Sequence, residues 1–298
     1  MKKIFRIITD LFYYCVFIIF VVIIGVLPFR FLYIFSNVLA FVLRKVFRYR
    51  FAVISKNLEK SNIDIKKYGR EKLIKEIYLN LSDVLVEGIK SLTMKKKTVL
   101  KRHKVLNPEI VLPFYNKKTS IILTTGHIGN WEWGSLSAGL YTPYHILAFY
   151  KKLSNPYIDR FLRWSRSRFG TTLASIKETT LSFDKQKNTP TMFLMAADQH
   201  PTKTSLAYST EFLGRETAFL HGPEKHARNN NYPILFADIR RKKRGYYEIE
   251  LSVLIEKPDT LNEGEITRLY AAKLESVILE NPSDWLWSHK RWKQKKSK

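Results

Sequence analysis

Residues 120–134 read SIILTTGHIGNWEWG, an apolar, β-branched run that passes through a turn into an aromatic segment. The first six residues are typical of a buried strand. Gly126 and Gly129 interrupt the regular pattern, and Asn130 is well placed as the N-cap of a helix that we expect over Trp131–Leu140. This stretch therefore predicts a buried strand that leads through a tight turn into a helix.

Strand and helix patterns alternate on both sides of this turn. Apolar residues recur with helical or strand period in eight further segments: helices over Glu71–Leu92, Asn155–Phe169, Gly222–Asn230 and Glu265–Glu280, and strands over His145–Tyr150, Thr191–Ala197, Pro233–Ile239 and Tyr246–Ile255. Such alternation predicts an α/β fold with a mixed, mostly parallel sheet flanked by helices.

The turn carries a histidine and a glutamate, His127 and Glu132. On a continuous helix their spacing would separate them by roughly 140° around the axis, so they could not share a face. We therefore expect His127 in the turn and Glu132 in the first helical turn, where the helix dipole favours a carboxylate. The carboxylate could then orient the imidazole, and the second ring nitrogen could take a proton from a hydroxyl.

The turn offers a base and an acid but no serine or cysteine placed as a nucleophile. The matching chemistry is direct transfer of an acyl group to a substrate hydroxyl, with no covalent intermediate. A simpler interpretation is that His127 only bonds to the backbone of its turn. No third metal ligand is spaced nearby and no glycine-rich phosphate loop is present, so neither a metal nor another cofactor is expected.

The charge balance points to an anionic partner. The 298 residues include 51 Lys and Arg against 26 Asp and Glu, a net charge of +25. Nucleic acid, a phospholipid surface and an acidic protein all fit this balance. The single cysteine, Cys15, excludes disulfides and cysteine-rich metal sites.

The N-terminal region predicts attachment to a membrane. Residues 11–27 read LFYYCVFIIFVVIIGVL, an uncharged run that spans roughly 25 Å as a helix, behind the basic residues Lys2, Lys3 and Arg6. It ends in Pro-Phe-Arg and not in the small residues of a signal-peptide cleavage site. Basic residues on both sides balance, so the positive-inside rule gives no orientation.

A second apolar stretch, Phe29–Phe47, could lie in the membrane interface or could be the first helix of the globular domain. We assign residues 1–47 to a membrane anchor with an interfacial helix. Residues 48–298 are assigned to a catalytic domain.

Several segments resemble, in order, the lipid A biosynthesis acyltransferases, the lauroyl and myristoyl transferases of Gram-negative inner membranes. GHIGNWEWG looks like their His-x-x-x-x-Glu motif, and glycerolipid acyltransferases use a related pair. The other similar segments are RYRFAVISKNL (48–58), Glu87, KKLSNPYIDRFLRWSRSRFG (151–170), Ala197-Asp198-Gln199 with Phe212-Leu213-Gly214 and Thr217, and PSDWLWSHKRWK (282–293). Leu213 and the stretch 217–223 depart from the family pattern.

The resemblance implies a fold like that of the glycerolipid acyltransferases. It also implies what the enzyme does. The enzyme would take a fatty acyl chain from acyl carrier protein and esterify a hydroxyl of a lipid A precursor, a phosphorylated glycolipid. It would act at the cytoplasmic face of the bacterial inner membrane, with His127 as general base and Glu132 as its orienting partner.

The same chemistry on another glycolipid or an aminolipid is an alternative. A tethered binder of nucleic acid or anionic lipid is disfavoured, because no nucleic-acid motif is present. Acyl length and oligomeric state do not follow from the sequence.

Further candidates for substrate binding lie near the turn and in later segments. A basic cluster could bind phosphate through its arginines, or could be a solvated helix face. Asp198 could orient a basic residue or a water, or cap the following turn. The complete candidate set is Asn130, Arg163, Arg166, Arg168, Asp198, Gln199 and Glu211, with Lys151 and Lys152 beside the arginines.

Overall fold

A computed structural model describes residues 2–201 and 207–293 of the chain. The side chains of Lys2 and Lys3 lie outside the described part.

A seven-stranded sheet with the order β1-β9-β8-β2-β5-β3-β4 forms the centre of the molecule. All neighbouring strands are parallel except β8 and β9, which form an antiparallel hairpin. A separate antiparallel pair, β6 and β7, completes the strands. Their bounds are β1 (His103–Val105), β2 (Ile121–Thr125), β3 (His145–Tyr150), β4 (Thr171–Ser175), β5 (Thr191–Ala196), β6 (Ala207–Glu211), β7 (Glu216–Leu220), β8 (Ile234–Lys243) and β9 (Tyr246–Ile255). The mixed, mostly parallel sheet confirms the predicted fold class.

Helices flank this sheet, and apolar side chains pack between the layers. The α-helices are α1 (Lys2–Val26), α2 (Phe29–Phe41), α3 (Phe51–Glu59), α4 (Ile65–Tyr68), α5 (Arg70–Ser91), α6 (Lys96–Arg102), α7 (Leu112–Asn116), α8 (Gly134–Ser137), α9 (Pro156–Ser167), α10 (Thr179–Lys185), α11 (Gly222–Asn230) and α12 (Glu265–Glu280). A π-helical turn, Val42–Val46, continues α2. All eight segments predicted on either side of the turn are present, with ends shifted by a few residues at most.

The helix expected over Trp131–Leu140 is wrong in its length. The segment divides into a 3₁₀ turn (Trp131–Trp133), the single turn α8 and a second 3₁₀ turn (Ala138–Leu140). The Thr171 hydroxyl donates a hydrogen bond of 2.6 Å to the carbonyl of Ser135, a group that a longer helix would use internally. Two glycines in the segment lower its helical propensity further.

The N-terminal helices α1 and α2 pack on α5 and α9. Within the described residues, one helical segment, Ile4–Val26, is long and apolar enough to cross a membrane. Its Phe17 ring packs against Phe161 of α9, and Lys90 of α5 donates a hydrogen bond of 2.7 Å to the carbonyl of Leu27. The opposite faces of α1 and α2 expose large apolar side chains.

The helix α2 has features of both roles considered for the second apolar stretch, an interfacial helix and the first helix of the globular domain. Ser36, on its buried face, donates a hydrogen bond of 2.6 Å to Asp83 of α5, as a helix of the globular domain would. Phe31, Ile34 and Val38, on its other face, are exposed as in an interfacial helix.

Candidate active site

The candidate site lies at the carboxyl ends of two neighbouring parallel strands, β2 and β5. Thr125 pairs with Ala196 at the ends of these strands. The segments that follow therefore run side by side, and each brings one polar residue to the same place. His127 comes from the segment after β2, and Asp198 comes from the segment after β5.

A short hydrogen bond joins the side chains of His127 and Asp198. The Nδ1 atom of His127 lies 2.5 Å from Oδ1 of Asp198. The second carboxylate oxygen accepts hydrogen bonds of 2.9 Å from the His127 backbone N–H and from Nε1 of Trp285. Asp198 is 2% exposed, and the His127 side chain is 17% exposed. Asp198 is thus a fixed acceptor that holds both the imidazole and its backbone.

The surroundings favour the protonated imidazole more than burial opposes it. Burial acts to lower the pKa of His127, but the charge and hydrogen bond of Asp198, and then the charge of Glu132, raise this pKa above its ordinary value. Burial likewise acts to raise the pKa of Asp198, and the interactions with His127 and Trp285 bring it well below its usual range. The pair therefore consists of a stable carboxylate and a strengthened base.

The other ring nitrogen of His127, Nε2, lies next to Gln199. When Nδ1–H donates to Asp198, Nε2 is an acceptor, and the Gln199 amide nitrogen lies 3.1 Å from it. The Trp131 ring packs edge-on against the imidazole, with 5.2 Å between the ring centroids. Gln199 thus occupies the position from which a hydroxyl would donate its proton.

Glu132 has a different partner from the one expected. Its carboxylate accepts a hydrogen bond of 2.8 Å from Arg166, and no hydrogen bond joins it to His127 in the described part of the chain. The reason is topological: the strand beside β2 brings Asp198 to Nδ1, so this nitrogen is already occupied. Glu132 lies in the wall of the same cavity and acts on His127 through its charge.

A buried polar network under the turn fixes its shape. Asn130 caps the 3₁₀ turn as predicted: its Oδ1 accepts from the backbone N–H of Trp133 at 3.2 Å, and its Nδ2 donates to Glu87 at 2.7 Å. Tyr33 and Tyr247 also donate to the Glu87 carboxylate at 2.7 Å. Burial raises the pKa of Glu87. Asn130 is fully buried, so its contribution to the site is the position of the turn.

The backbone conformation of Gly129 explains one of the two glycines in the turn. Its φ is +55°, and an added Cβ would lie 2.6 Å from the carbonyl oxygen of Ile239. A side chain at this position would be strained and would collide with β8. The motif therefore requires glycine between the histidine and the asparagine.

The remaining predicted residues are not brought together. Arg166 lines the cavity and binds Glu132, whereas Arg168 donates to the carbonyls of Ser165 and Ser91 and stabilises the end of α9. Arg163 is exposed on α9, and Glu211 is exposed at the end of β6. Lys151 lines the cavity, and Lys152 is exposed beside it.

A mostly apolar cavity of about 460 Å³ is lined by His127 and by side chains of the sheet. The apolar side chains come from strands that include β2, β5, β8 and β9, and examples are Leu123, Leu194, Ile239 and Leu251. The polar side chains in the lining include His127, Glu132 and Arg166, and also His103 with Ser137. Such a cavity suits a long apolar chain whose reactive end meets the histidine.

Two residues that hold the site were not singled out for this role from the sequence. Trp285 is buried, and its Nε1 donates a hydrogen bond to Asp198. Glu87 supports the turn through Asn130. No group of three or more His, Cys, Asp or Glu side chains within residues 2–201 and 207–293 is arranged to hold a metal ion.

A histidine–aspartate pair at the carboxyl edge of an α/β sheet, beside an apolar cavity, is an arrangement that can take a proton from a hydroxyl next to an apolar chain. The family model of the bacterial lipid A biosynthesis acyltransferases matches residues 2–294, so the chain belongs to this family and is an acyltransferase. The chain is also similar to a lipid A biosynthesis acyltransferase of Haemophilus influenzae. The two are 22% identical over 251 residues, which cover 84% of this chain and 79% of the relative.

Proposed function

We propose that the enzyme transfers a fatty acyl chain from acyl carrier protein to a hydroxyl of a lipid A precursor, with His127 as the general base. The observation that carries this proposal is the His127–Asp198 pair beside the apolar cavity. The proposed base and its proposed orienting acid thus lie next to a space that could take an acyl chain.

In the proposed reaction the acceptor hydroxyl replaces Gln199 at Nε2 of His127. The hydroxyl oxygen attacks the thioester carbonyl as its proton passes to Nε2. When the carbon–sulfur bond breaks, the imidazolium returns this proton to the departing thiolate. Asp198 stays ionised and stabilises the imidazolium, as the carboxylate does in a serine protease triad. The ester and the free thiol are the products.

Glu132 remains one of the proposed catalytic residues, but its proposed role is no longer that of the orienting partner of His127. Its charge raises the pKa of His127, and its carboxylate holds Arg166 at the edge of the cavity. Arg166 is then placed to bind a phosphate or a developing negative charge close to the reacting atoms. Glu132 therefore acts through electrostatics and positioning, and Asp198 supplies the orienting hydrogen bond.

The proposed donor and the proposed attachment to a membrane explain two further features, the apolar cavity and the excess of basic residues. The aliphatic cavity fits the acyl chain of the donor, and the exposed basic residues Lys152 and Arg163 favour an acidic carrier protein. Residues 1–47 would anchor the catalytic domain, residues 48–298, to the cytoplasmic face of the inner membrane, where acyl carrier protein is available. The net charge of +25 would strengthen attachment to an anionic leaflet.

Mass spectrometry of total lipids from a deletion strain tests the acceptor. We expect under-acylated lipid A, restored by the wild-type gene and not by a His127→Ala gene. Normal lipid A together with another glycolipid or an aminolipid that lacks an acyl chain would contradict the proposed acceptor and leave the chemistry in place.

A further inference from the structure

A second cavity, also of about 460 Å³, lies on the other side of the catalytic turn. It is a groove between α5, α9 and the N-terminal helix α1, and we call it the membrane-side groove. Its apolar wall includes Phe17 of α1, Val84, Leu85 and Ile89 of α5, and Leu162 of α9. The groove therefore begins at the helix that is long and apolar enough to cross a membrane.

The two cavities share one boundary. Trp131, Glu132 and Arg166 line both of them. The Trp131 ring lies against the imidazole of His127, so the inner end of the groove is one side chain away from the base. A substrate in the groove and a substrate in the first cavity would meet at this boundary.

Charged side chains also line the groove. Arg50 and Arg166 are two of them, and the Arg166 side chain is 28% exposed and pairs with Glu132, which lines the groove as well. The guanidinium of Arg50 is held by a hydrogen bond of 2.9 Å to the Ser288 carbonyl, in a chain segment that also lines the groove. Two arginines against one carboxylate leave these three side chains with a net positive charge. An apolar groove lined by two arginines matches an amphiphile with an apolar tail and a phosphate headgroup.

We propose that the membrane-side groove binds the acceptor: one acyl chain of the phosphorylated glycolipid lies along α5, and its phosphate contacts Arg50 or Arg166. This inference rests on the proposed function, because direct transfer requires both substrates to be bound at once. The acceptor enters from the bilayer beside α1, and the donor acyl chain occupies the first cavity. The acceptor hydroxyl reaches His127 past Trp131.

Two glycines allow the two cavities to be narrowed separately. Gly88, in the last turn of α5, lines the groove, and an added Cβ would meet only the Glu132 Cγ, at 3.9 Å. Gly134 lines the first cavity, and an added Cβ would have nothing within 4 Å. A side chain at either position therefore starts without a clash, in the lining of its own cavity.

The experiment measures KM for each substrate with the full-length enzyme in detergent micelles, with acyl carrier protein thioester as donor and a purified lipid A precursor as acceptor. For Gly88→Leu we expect a rise of at least tenfold in the acceptor KM and less than a twofold change in the donor KM. For Gly134→Leu we expect the reverse. Gly88→Ala should give a smaller rise than Gly88→Leu, since the effect should increase with side-chain volume.

Leu85→Trp provides a second variant at an exposed position of the groove, and it too should raise the acceptor KM. Ser276→Leu, on the exposed face of α12 and outside both cavities, controls for added apolar surface and should leave both constants unchanged. An unchanged acceptor KM in both Gly88→Leu and Leu85→Trp would overturn the inference, as would a rise in the donor KM alone. Failure of the wild-type enzyme to acylate the precursor would instead contradict the proposed function.

Discussion

The segments that follow β2 and β5 each supply a carboxylate near His127, and the two carboxylates differ in almost every property. Asp198, after β5, is 2% exposed, bonds both the ring and the backbone of His127 and accepts a third bond from Trp285. Glu132, after β2, is 36% exposed and binds Arg166. Of the two acidic residues, the one closer to His127 in the sequence is thus not the one that is hydrogen-bonded to it. The reason is that adjacent parallel strands bring together residues that are far apart along the chain.

The largest expected loss of activity comes from removing His127, the proposed base. His127→Ala should lower kcat for acyl transfer by about 10⁴-fold, the upper range for general acid–base catalysis. The measurement is single-turnover transfer of a radiolabelled acyl chain, with membrane association followed by flotation. Association should be unchanged, since α1 and α2 remain; wild-type turnover by this variant would contradict the mechanism.

Removing the charge of Asp198, the proposed orienting acid, should lower kcat nearly as much. Asp198→Asn keeps the shape of the side chain but turns the acceptor into a group that can favour the wrong tautomer of His127, so kcat should fall by about 10³-fold. The same transfer assay measures it, with circular dichroism to confirm folding. A loss of less than fivefold would show that Asp198 is not the orienting partner.

Glu132→Gln should have a smaller effect. It removes the Glu132 charge that acts on His127 and Arg166, and a loss of about 1 kcal/mol of transition-state stabilisation would lower kcat/KM roughly fivefold. Since only the neutral imidazole can accept a proton, activity falls as the pH falls through the pKa of His127. Without the Glu132 charge this pKa decreases, and the acid limb of the rate profile should move to lower pH. A limb that moves to higher pH would contradict the electrostatic role.

The smallest effect on catalysis is expected from substitutions in the polar network below the turn. These should lower the free energy of unfolding instead. Glu87→Gln leaves three donors, from Tyr33, Asn130 and Tyr247, facing an amide that can no longer accept from all of them. Unsatisfied buried groups of this kind cost about 1–3 kcal/mol in the free energy of unfolding. Denaturant titration measures the loss. Glu59→Gln, which breaks an exposed pair with Arg70, is the matched control and should change stability by at most about 1 kcal/mol.

The elements of the fold follow from periodicity, and the contacts of the site do not. Apolar runs such as Thr191–Ala196 and the amphipathic pattern of α5 are local signals, and the structure has both elements where they were predicted. The short β1, the strand β4 and the hairpin of β6 and β7 were missed, because three residues or a mixed polar pattern carry no distinct period.

The His127–Asp198 pair required knowledge of which strands are neighbours. The sequence placed Asp198 at the end of a buried strand and left open whether it orients a base. Only the order β8-β2-β5-β3 puts that end beside His127. The role of Glu132 was inferred from proximity in the chain and from the expectation of a regular helix, which the 3₁₀ turn replaces.

Nitrogen NMR of the His127 imidazole, titrated in the wild-type enzyme and in the two carboxylate variants, shows directly which carboxylate is the partner of His127. We expect a proton on Nδ1 in the neutral ring and a pKa above the ordinary value. We expect a large fall in this pKa in Asp198→Asn and a smaller fall in Glu132→Gln. A pKa that is unaffected in Asp198→Asn and falls in Glu132→Gln would show that Glu132 is the partner of His127 in solution, and would contradict the role proposed for Asp198.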